Sequence, residues 1–224
     1  MSDLNDIVAV GLDLQPKTLL QAYARGVFPW PTEGLPLLWY CPSRRGVLEF
    51  NSLHVPKRLK GYLKKSPWTY TVDRAFNQVI ESCSIREDEG TWITEEMKAA
   101  YRELHRLGHA HSVEVWNGGD LVGGLYGMDS AGYFAGESMF HSESNASKAA
   151  LLFSIARQIE AGREWMDIQV LTPHMEALGA REIRRSQFLK MLERARENQR
   201  ITPPGGPFRA DGPFDYRAFS MLME

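Results

Sequence analysis

The chain has 224 residues, 43% hydrophobic and 24% charged, an ordinary balance for a soluble globular protein with one large domain or a small one joined to a medium one. A net charge of −2 and a sequence pI of about 6.3 exclude a global basic signature, so a nucleic-acid partner would have to meet a local patch. Cys41 and Cys83 make neither a metal-type pair nor a disulfide framework. With no basic leader and no apolar run of membrane-spanning length, the expected compartment is the cytoplasm, with no membrane partner.

In chain order, residues 16–26, PKTLLQAYARG, predict a short helix, with Pro16 in the first turn and Gly26 at the end. The Pro- and aromatic-rich stretch after it predicts irregular structure with strand pieces at Leu37–Tyr40 and Val47–Phe50. A basic helix is expected after Pro56, with Ser52 as a plausible cap, then a strand at 68–73, a helix at 74–83 and an acidic loop at 86–90. Thr94 caps a strong helix to Gly108, with Glu95 and Glu96 at its positive end. Strands SVEVW and LVGGLYG are joined across Asn117-Gly118-Gly119 as a hairpin, and GYFAGESMF is a third strand. Residues 144–162 form an amphipathic helix with Ala149, Leu152, Phe153, Ala156 and Ile159 on one stripe. A strand at 165–171, a helix at 186–200 and a loop-rich tail at 202–213 complete the chain. The pattern predicts an α+β fold with a mixed sheet, preceded by a small irregular head of residues 1–65, with the main domain over 66–224.

The strand EWMDIQVLTPH raises a chemical question. Alternation places Trp165, Asp167, Gln169 and Leu171 on one face and Met166, Ile168 and Val170 on the other. A solvated face is the ordinary reading of such a pattern. A face apolar at both ends and polar in the middle also suits the wall of a pocket. Glu137, in FAGESMF, sits among apolar residues. Glu is seldom buried alone, so a cation should meet it, either an internal Arg or a ligand amine or guanidinium.

From Asn51 to Val72 the chain carries Lys57, Arg58, Lys60, Lys64 and Lys65 and no acid. A solvated helix normally mixes signs; this one suits contact with a phosphate backbone, and nearby Trp30, Trp39, Tyr40 and Trp92 could stack on an unpaired base. His105, His109 and His111 cluster, but no acidic or Cys ligand accompanies them in a zinc-type motif, so no metal is expected. No serine elbow, Walker loop or dinucleotide fingerprint occurs, and no cofactor is expected.

Taken together, GVFPW, EGTWIT, LGHAHSVEVW, LVGGLYG, FAGESMFHSESNASKAAL, DIQVLTPH and LGAREI resemble the leucyl/phenylalanyl-tRNA–protein transferase family, in order from about residue 10 to 190. The resemblance implies a small N-terminal domain followed by a GNAT-like (acyl-CoA N-acetyltransferase-like) domain. It implies transfer of Leu, Phe and, less well, Met from aminoacyl-tRNA to a protein's N-terminal Lys or Arg, marking it for N-degron (N-end rule) degradation. It also implies catalytic Asp167 and Gln169, and acceptor binding by Glu137 and Asp167. Leu125, Phe134, Met139, Met166 and, more loosely, Phe153 fall at positions of an aminoacyl pocket. Trp30 and Trp92 match aromatics near the terminal adenosine, and Lys57, Lys64 and Lys65 match tRNA-binding positions, with Arg58 in the same run. Thr172-Pro173 stands where some members have Asn-Asp, and Gly61 where some carry a further basic residue.

The donor ester is already activated, and a neutral α-amine with a pKa near 8 is a competent nucleophile. Gln169 is too weak to be a base, so it is read as a hydrogen-bond acceptor that aims the amine, with Asp167 holding Gln169 or the incoming ammonium. A CoA-dependent N-acetyltransferase is the nearest rival, but MFHSESN lacks the Q/R-x-x-G-x-G/A loop that would hold pyrophosphate. A non-catalytic tRNA-binding module would explain the basic helix but not the three polar residues.

Overall fold

The computed structural model describes residues 4–85, 91–130, 132–199, 207–208 and 212–223. The acidic loop expected at 86–90 and most of the expected tail lie outside these residues. In chain order the elements are β1 (Ile7–Val10), α1 (Pro16–Tyr23), β2 (Phe28–Trp30), β3 (Leu38–Tyr40), β4 (Arg44–Glu49), α2 (Lys57–Leu63), β5 (Thr69–Val72), α3 (Phe76–Ser84) and α4 (Glu95–Arg106). Then follow β6 (Ala110–Asn117), β7 (Asp120–Ser130), β8 (Tyr133–His141), α5 (Ala146–Glu160), β9 (Trp165–Gln169), α6 (Pro173–Glu176), β10 (Arg181–Arg184) and α7 (Arg185–Gln199), with a 3-10 stretch at Tyr216–Met223.

A small sheet runs β1-β3-β2, and a seven-stranded sheet runs β10-β4-β9-β8-β7-β6-β5. The large sheet is mixed: β8 and β9 are parallel, and its other neighbours are antiparallel. Helices cover both faces. One core cluster joins α2, α5, α6 and the 3-10 stretch to the sheet through Leu59, Leu152, Met175 and Phe219. The other joins α1, α3, α4 and α7 through Leu19, Ile80, Tyr101 and Phe188. Among the described residues, no helix is long and apolar enough to cross a membrane.

Several locally encoded features form as expected. The Thr94 hydroxyl accepts from Met97 N at 3.3 Å, and β6 turns into β7 across Gly118 and Gly119. Two expectations change. Strand β4 and helix α2, read from sequence as parts of the head, belong to the large sheet and its core: β4 pairs with both β9 and β10, and Leu59 and Leu63 pack with Leu48 and Trp68. Helix α5 is not amphipathic in place. Ala150, Leu151 and Ile155 are buried beside the expected stripe, because the 3-10 stretch packs over the helix. A helix covered on both sides needs apolar residues all round.

Candidate active site

The parallel pair β8/β9 places the site. Its register contains one pair, Ala135 with Asp167, and beyond it both strands bulge. On β8, Gly136 and Ser138 face the consecutive residues Gly127 and Tyr126, so Glu137 is the extra residue. On β9, Asp167 and Gln169 face Val47 and Gly46, so Ile168 is extra. Bulges bend strands and re-aim side chains. The alternation expected through 165–171 therefore ends at Ile168. Gln169 takes a left-handed conformation, φ 56°, the strand stops there, Val170 is exposed, and Leu171 packs against the same core cluster as Ile168 rather than the one that holds Trp165. Gly46 permits this turn: a Cβ there would lie 2.9 Å from Leu171 N.

Asp167 is fully buried and faces an internal cation. Its Oδ1 accepts from Arg45 Nε at 2.7 Å and its Oδ2 from Arg45 Nη2 at 2.6 Å. Arg45 Nη1 donates to Gly26 O at 3.0 Å, and the guanidinium lies between the Phe28 and Phe188 rings, 4.6 and 4.4 Å from their centroids. Burial alone would lower the Arg45 pKa, but the charge and hydrogen bonds of Asp167 raise it above its usual value. Asp167 Oδ1 also accepts from Gln169 N at 3.0 Å, fixing the backbone at the left-handed residue.

Glu137 is part-buried and has no ion-pair partner among the described residues. Its Oε1 accepts from the Tyr23 hydroxyl at 2.7 Å and from Gln169 Nε2 at 3.0 Å, and the Tyr23 hydroxyl is itself hydrogen-bonded to that of Tyr101. Burial drives its carboxyl upward, the Tyr23 bond draws it back and the Asp167 charge raises it further, leaving it pushed up to about 7. With Nε2 committed to Glu137, Gln169 Oε1 has no protein donor among the described residues, which leaves it an acceptor at the strand opening.

The other expected residues divide. Leu125 pairs with Met139 across β7/β8, and the Met166 Cε lies 2.9 Å from where a Cβ on Gly136 would sit. Leu125, Phe134, Phe153 and Met166 are closed core residues of one cluster, with Met139 half-buried against it. Trp30 and Trp92 stack at 5.4 Å and 21°. Lys57, Arg58, Lys64 and Lys65 are exposed on and just after α2, with no ion pairs among the described residues. A cavity of about 1030 Å³ lies away from Glu137 and Gln169, at the opposite ends of β8 and β9, by Gly132, Arg163 and Trp165. Among the described residues no cluster of three His, Cys, Asp or Glu could hold a metal.

Arg45, Tyr23 and Tyr101 were missed from sequence. Arg45 is 122 positions from Asp167, too far for local pattern to connect them. The signal present was an arginine inside the strand segment RRGVLEF, at a position that alternation would bury.

Comparison with known proteins follows the same stretches. A model of the leucyl/phenylalanyl-tRNA protein transferase family matches residues 47–193, and one of that family's N-terminal domain matches 12–43. The chain is 46% identical over 200 residues to a leucyl/phenylalanyl-tRNA–protein transferase from Shewanella sp. (strain MR-4), covering 88% of this chain and 85% of that one. It is 46% identical over 199 residues to the protein of that name from Shewanella woodyi (strain ATCC 51908 / MS32), covering 88% and 84%. It is 44% identical over 201 residues to the protein of that name from Shewanella putrefaciens (strain CN-32 / ATCC BAA-453), covering 89% and 85%.

Proposed function

The chain belongs to the leucyl/phenylalanyl-tRNA–protein transferase family and is an aminoacyltransferase, and from that premise we propose that it moves Leu, Phe and, less readily, Met from aminoacyl-tRNA to an N-terminal Lys or Arg. The observation that carries the acceptor choice is Glu137. It is a part-buried carboxylate held by hydroxyl and amide groups, with no cation to neutralise it among the described residues. A basic acceptor residue would supply the missing charge.

In this reading the acceptor amine enters beside Gln169 and its lone pair points at the ester carbonyl, guided by Gln169 Oε1. The new C–N bond forms, the C–O bond to the ribose breaks, and the amine proton leaves on the departing ribose hydroxyl. Positioning can supply several kcal/mol of the barrier, because amine and ester need little further activation. Asp167 acts in part through Gln169, whose backbone it holds. Arg45 already takes both Asp167 oxygens, so Asp167 has none left for an ion pair with the acceptor, and its part in this reading is to hold Gln169. A pocket for Leu or Phe would have to open beside half-buried Met139, at the edge of the closed cluster that contains Leu125, Phe134, Phe153 and Met166. Flexible methionines suit a pocket that accepts more than one apolar side chain. The exposed cations Lys57, Arg58, Lys64 and Lys65 would meet tRNA phosphates, and the Trp30–Trp92 stack would meet the terminal base.

A GNAT-like architecture for the large sheet is part of the proposal, supported by the single parallel pair that opens beyond Ala135 and Asp167. So are a cytoplasmic location, entry of the product into N-degron degradation, and a two-domain division. The chain passes from the small sheet to the large one between Tyr40 and Arg44, which favours a boundary there over residue 65. The test is an assay with purified protein, labelled Leu-tRNA and peptides that differ only in their first residue. Label should reach peptides starting with Arg or Lys and not those starting with Asp or Glu. Equal transfer to an N-terminal Glu peptide removes the role given to Glu137.

A further inference from the structure

Phe208 lies in the C-terminal tail, beyond residue 193, where the match to the family model ends. It is nevertheless buried in the same core cluster as Leu125, Phe134, Phe153 and Met166. Its ring centroid is 4.5 Å from that of Phe134, at 38°, and 5.1 Å from that of His111, at 17°. Both neighbours are held from elsewhere. His111 Nδ1 is hydrogen-bonded to Asp73 Oδ2 at 2.6 Å, and the Phe134 ring lies against the backbone of Gly127 on β7, closer than a Cβ there would allow. The tail itself is tied at the preceding residue, where Pro207 O accepts from Arg157 Nε at 3.2 Å.

Strand β8 relates this contact to the proposed chemistry. Phe134 and Met139 pack in one cluster, and Gly136 stands between them in the strand. With no side chain at Gly136, the space over it is taken by Met166 Cε, 2.9 Å from where a Cβ would sit. An unbranched, flexible thioether is easily displaced. Turning Met166 away from Gly136 therefore opens room for an incoming Leu or Phe with the least disturbance of the cluster. The next residue on that face of the strand is Phe134, about 7 Å further along at 3.3 Å per residue. Its ring is confined by Gly127 and by Phe208, and a close-packed interior gives such a ring little freedom to yield.

We infer that Phe208 is a specificity-determining residue: by holding Phe134 in place it fixes the depth of the aminoacyl pocket over Gly136, and with it the balance between Leu and Phe. It acts through Phe134, as a positioning residue. The inference rests on the transferase reading above.

The test compares kcat/KM for Leu-tRNA and Phe-tRNA, each with an Arg-start peptide, in wild type and Phe208→Leu. A smaller side chain at 208 leaves room behind Phe134, so the longer Phe should gain over Leu. The Phe-to-Leu ratio should rise about tenfold, the low end of what one methylene decides in an apolar pocket. A merely structural role would lower both activities alike and leave the ratio unmoved, and thermal melting reads the loss of stability separately. Phe134→Leu should move the ratio in the same direction, because it lowers the same floor. If Phe208→Leu does not fold, Phe208→Met, closer in volume, takes its place in the comparison. An unchanged ratio in a folded Phe208 variant, with both activities present in the wild type, overturns the inference and leaves the transferase reading standing. If the wild type transfers neither Leu nor Phe, the transferase reading falls and the inference with it.

Discussion

Two carboxylates flank the strand opening, and the protein keeps them in opposite electrical situations. Asp167 on β9 is fully buried, yet the Arg45 guanidinium meets both of its oxygens. Glu137 on β8 is less deeply placed, yet it has only neutral donors and its pKa is pushed up to about 7. The difference teaches that depth alone does not mark a binding carboxylate; the partner does. Asp167 is satisfied within the fold and holds Gln169 in place. Glu137 is left with neutral donors alone, and in the proposed reading a cation from outside meets it.

The largest effect should come from breaking the satisfied pair. Asp167→Ala would leave Arg45 buried without its counterion, at a cost of about 3–5 kcal/mol of stability. Chemical denaturation of Asp167→Ala beside an Arg45→Met, Asp167→Ala double variant checks this. The double variant should recover much of the loss, because no unpaired charge remains.

Gln169 separates position from stability. Gln169→Ala should lower transfer on the order of 10–1000-fold while leaving the Arg45–Asp167 pair and the melting temperature nearly unchanged. Steady-state transfer from Leu-tRNA to an Arg-start peptide measures it, and near wild-type transfer by folded variant would contradict the positioning role.

Glu137 sharpens the contrast through pH. Its folded pKa of about 7 lies above the ordinary carboxyl value near 4.3, so its ionisation opposes folding. Stability from this group is full below the unfolded pKa and is lost as pH rises through about 7. Glu137→Gln should therefore be more stable than wild type at pH 8 by roughly 1–3 kcal/mol, with the gain fading toward pH 4. A series of denaturation curves across that range shows it; the opposite slope would mean that Glu137 has an unseen cationic partner.

The smallest effect lies away from both acids. Replacing Lys64 and Lys65 with Ala should lower the slope of log tRNA affinity against log salt by roughly 0.7–0.9 for each phosphate no longer neutralised. The preference among Leu, Phe and Met should not move, because a cation on the phosphate backbone reads nothing of the amino acid.

What could be read from sequence followed the range of the interactions. The β6–β7 hairpin and the Thr94 cap are encoded within a few residues, and they form as read. The polar trio Glu137, Asp167 and Gln169 stood out in the sequence because charged and amide groups lay inside apolar strands, and the structure brings the three together. Its geometry was not. Strict alternation assumes no extra residue, and the bulges at Glu137 and Ile168 each insert one. Strand β4 lies between β9 and β10 through pairings more than a hundred positions apart, which no local pattern encodes. The same distance hid Arg45, so Asp167 was read as open to the acceptor when its partner lies within the chain.

The most direct measurement compares acceptor choice in wild type and Glu137→Gln. The ratio of kcat/KM for an Arg-start peptide to that for an otherwise identical Gln-start peptide should be high in the wild type. In Glu137→Gln, which keeps the Tyr23 and Gln169 contacts in shape but lacks the charge, that ratio should fall at least tenfold, the equivalent of about 1.4 kcal/mol. A folded Glu137→Gln protein with an unchanged ratio would contradict the assignment of the unneutralised carboxylate to the basic acceptor.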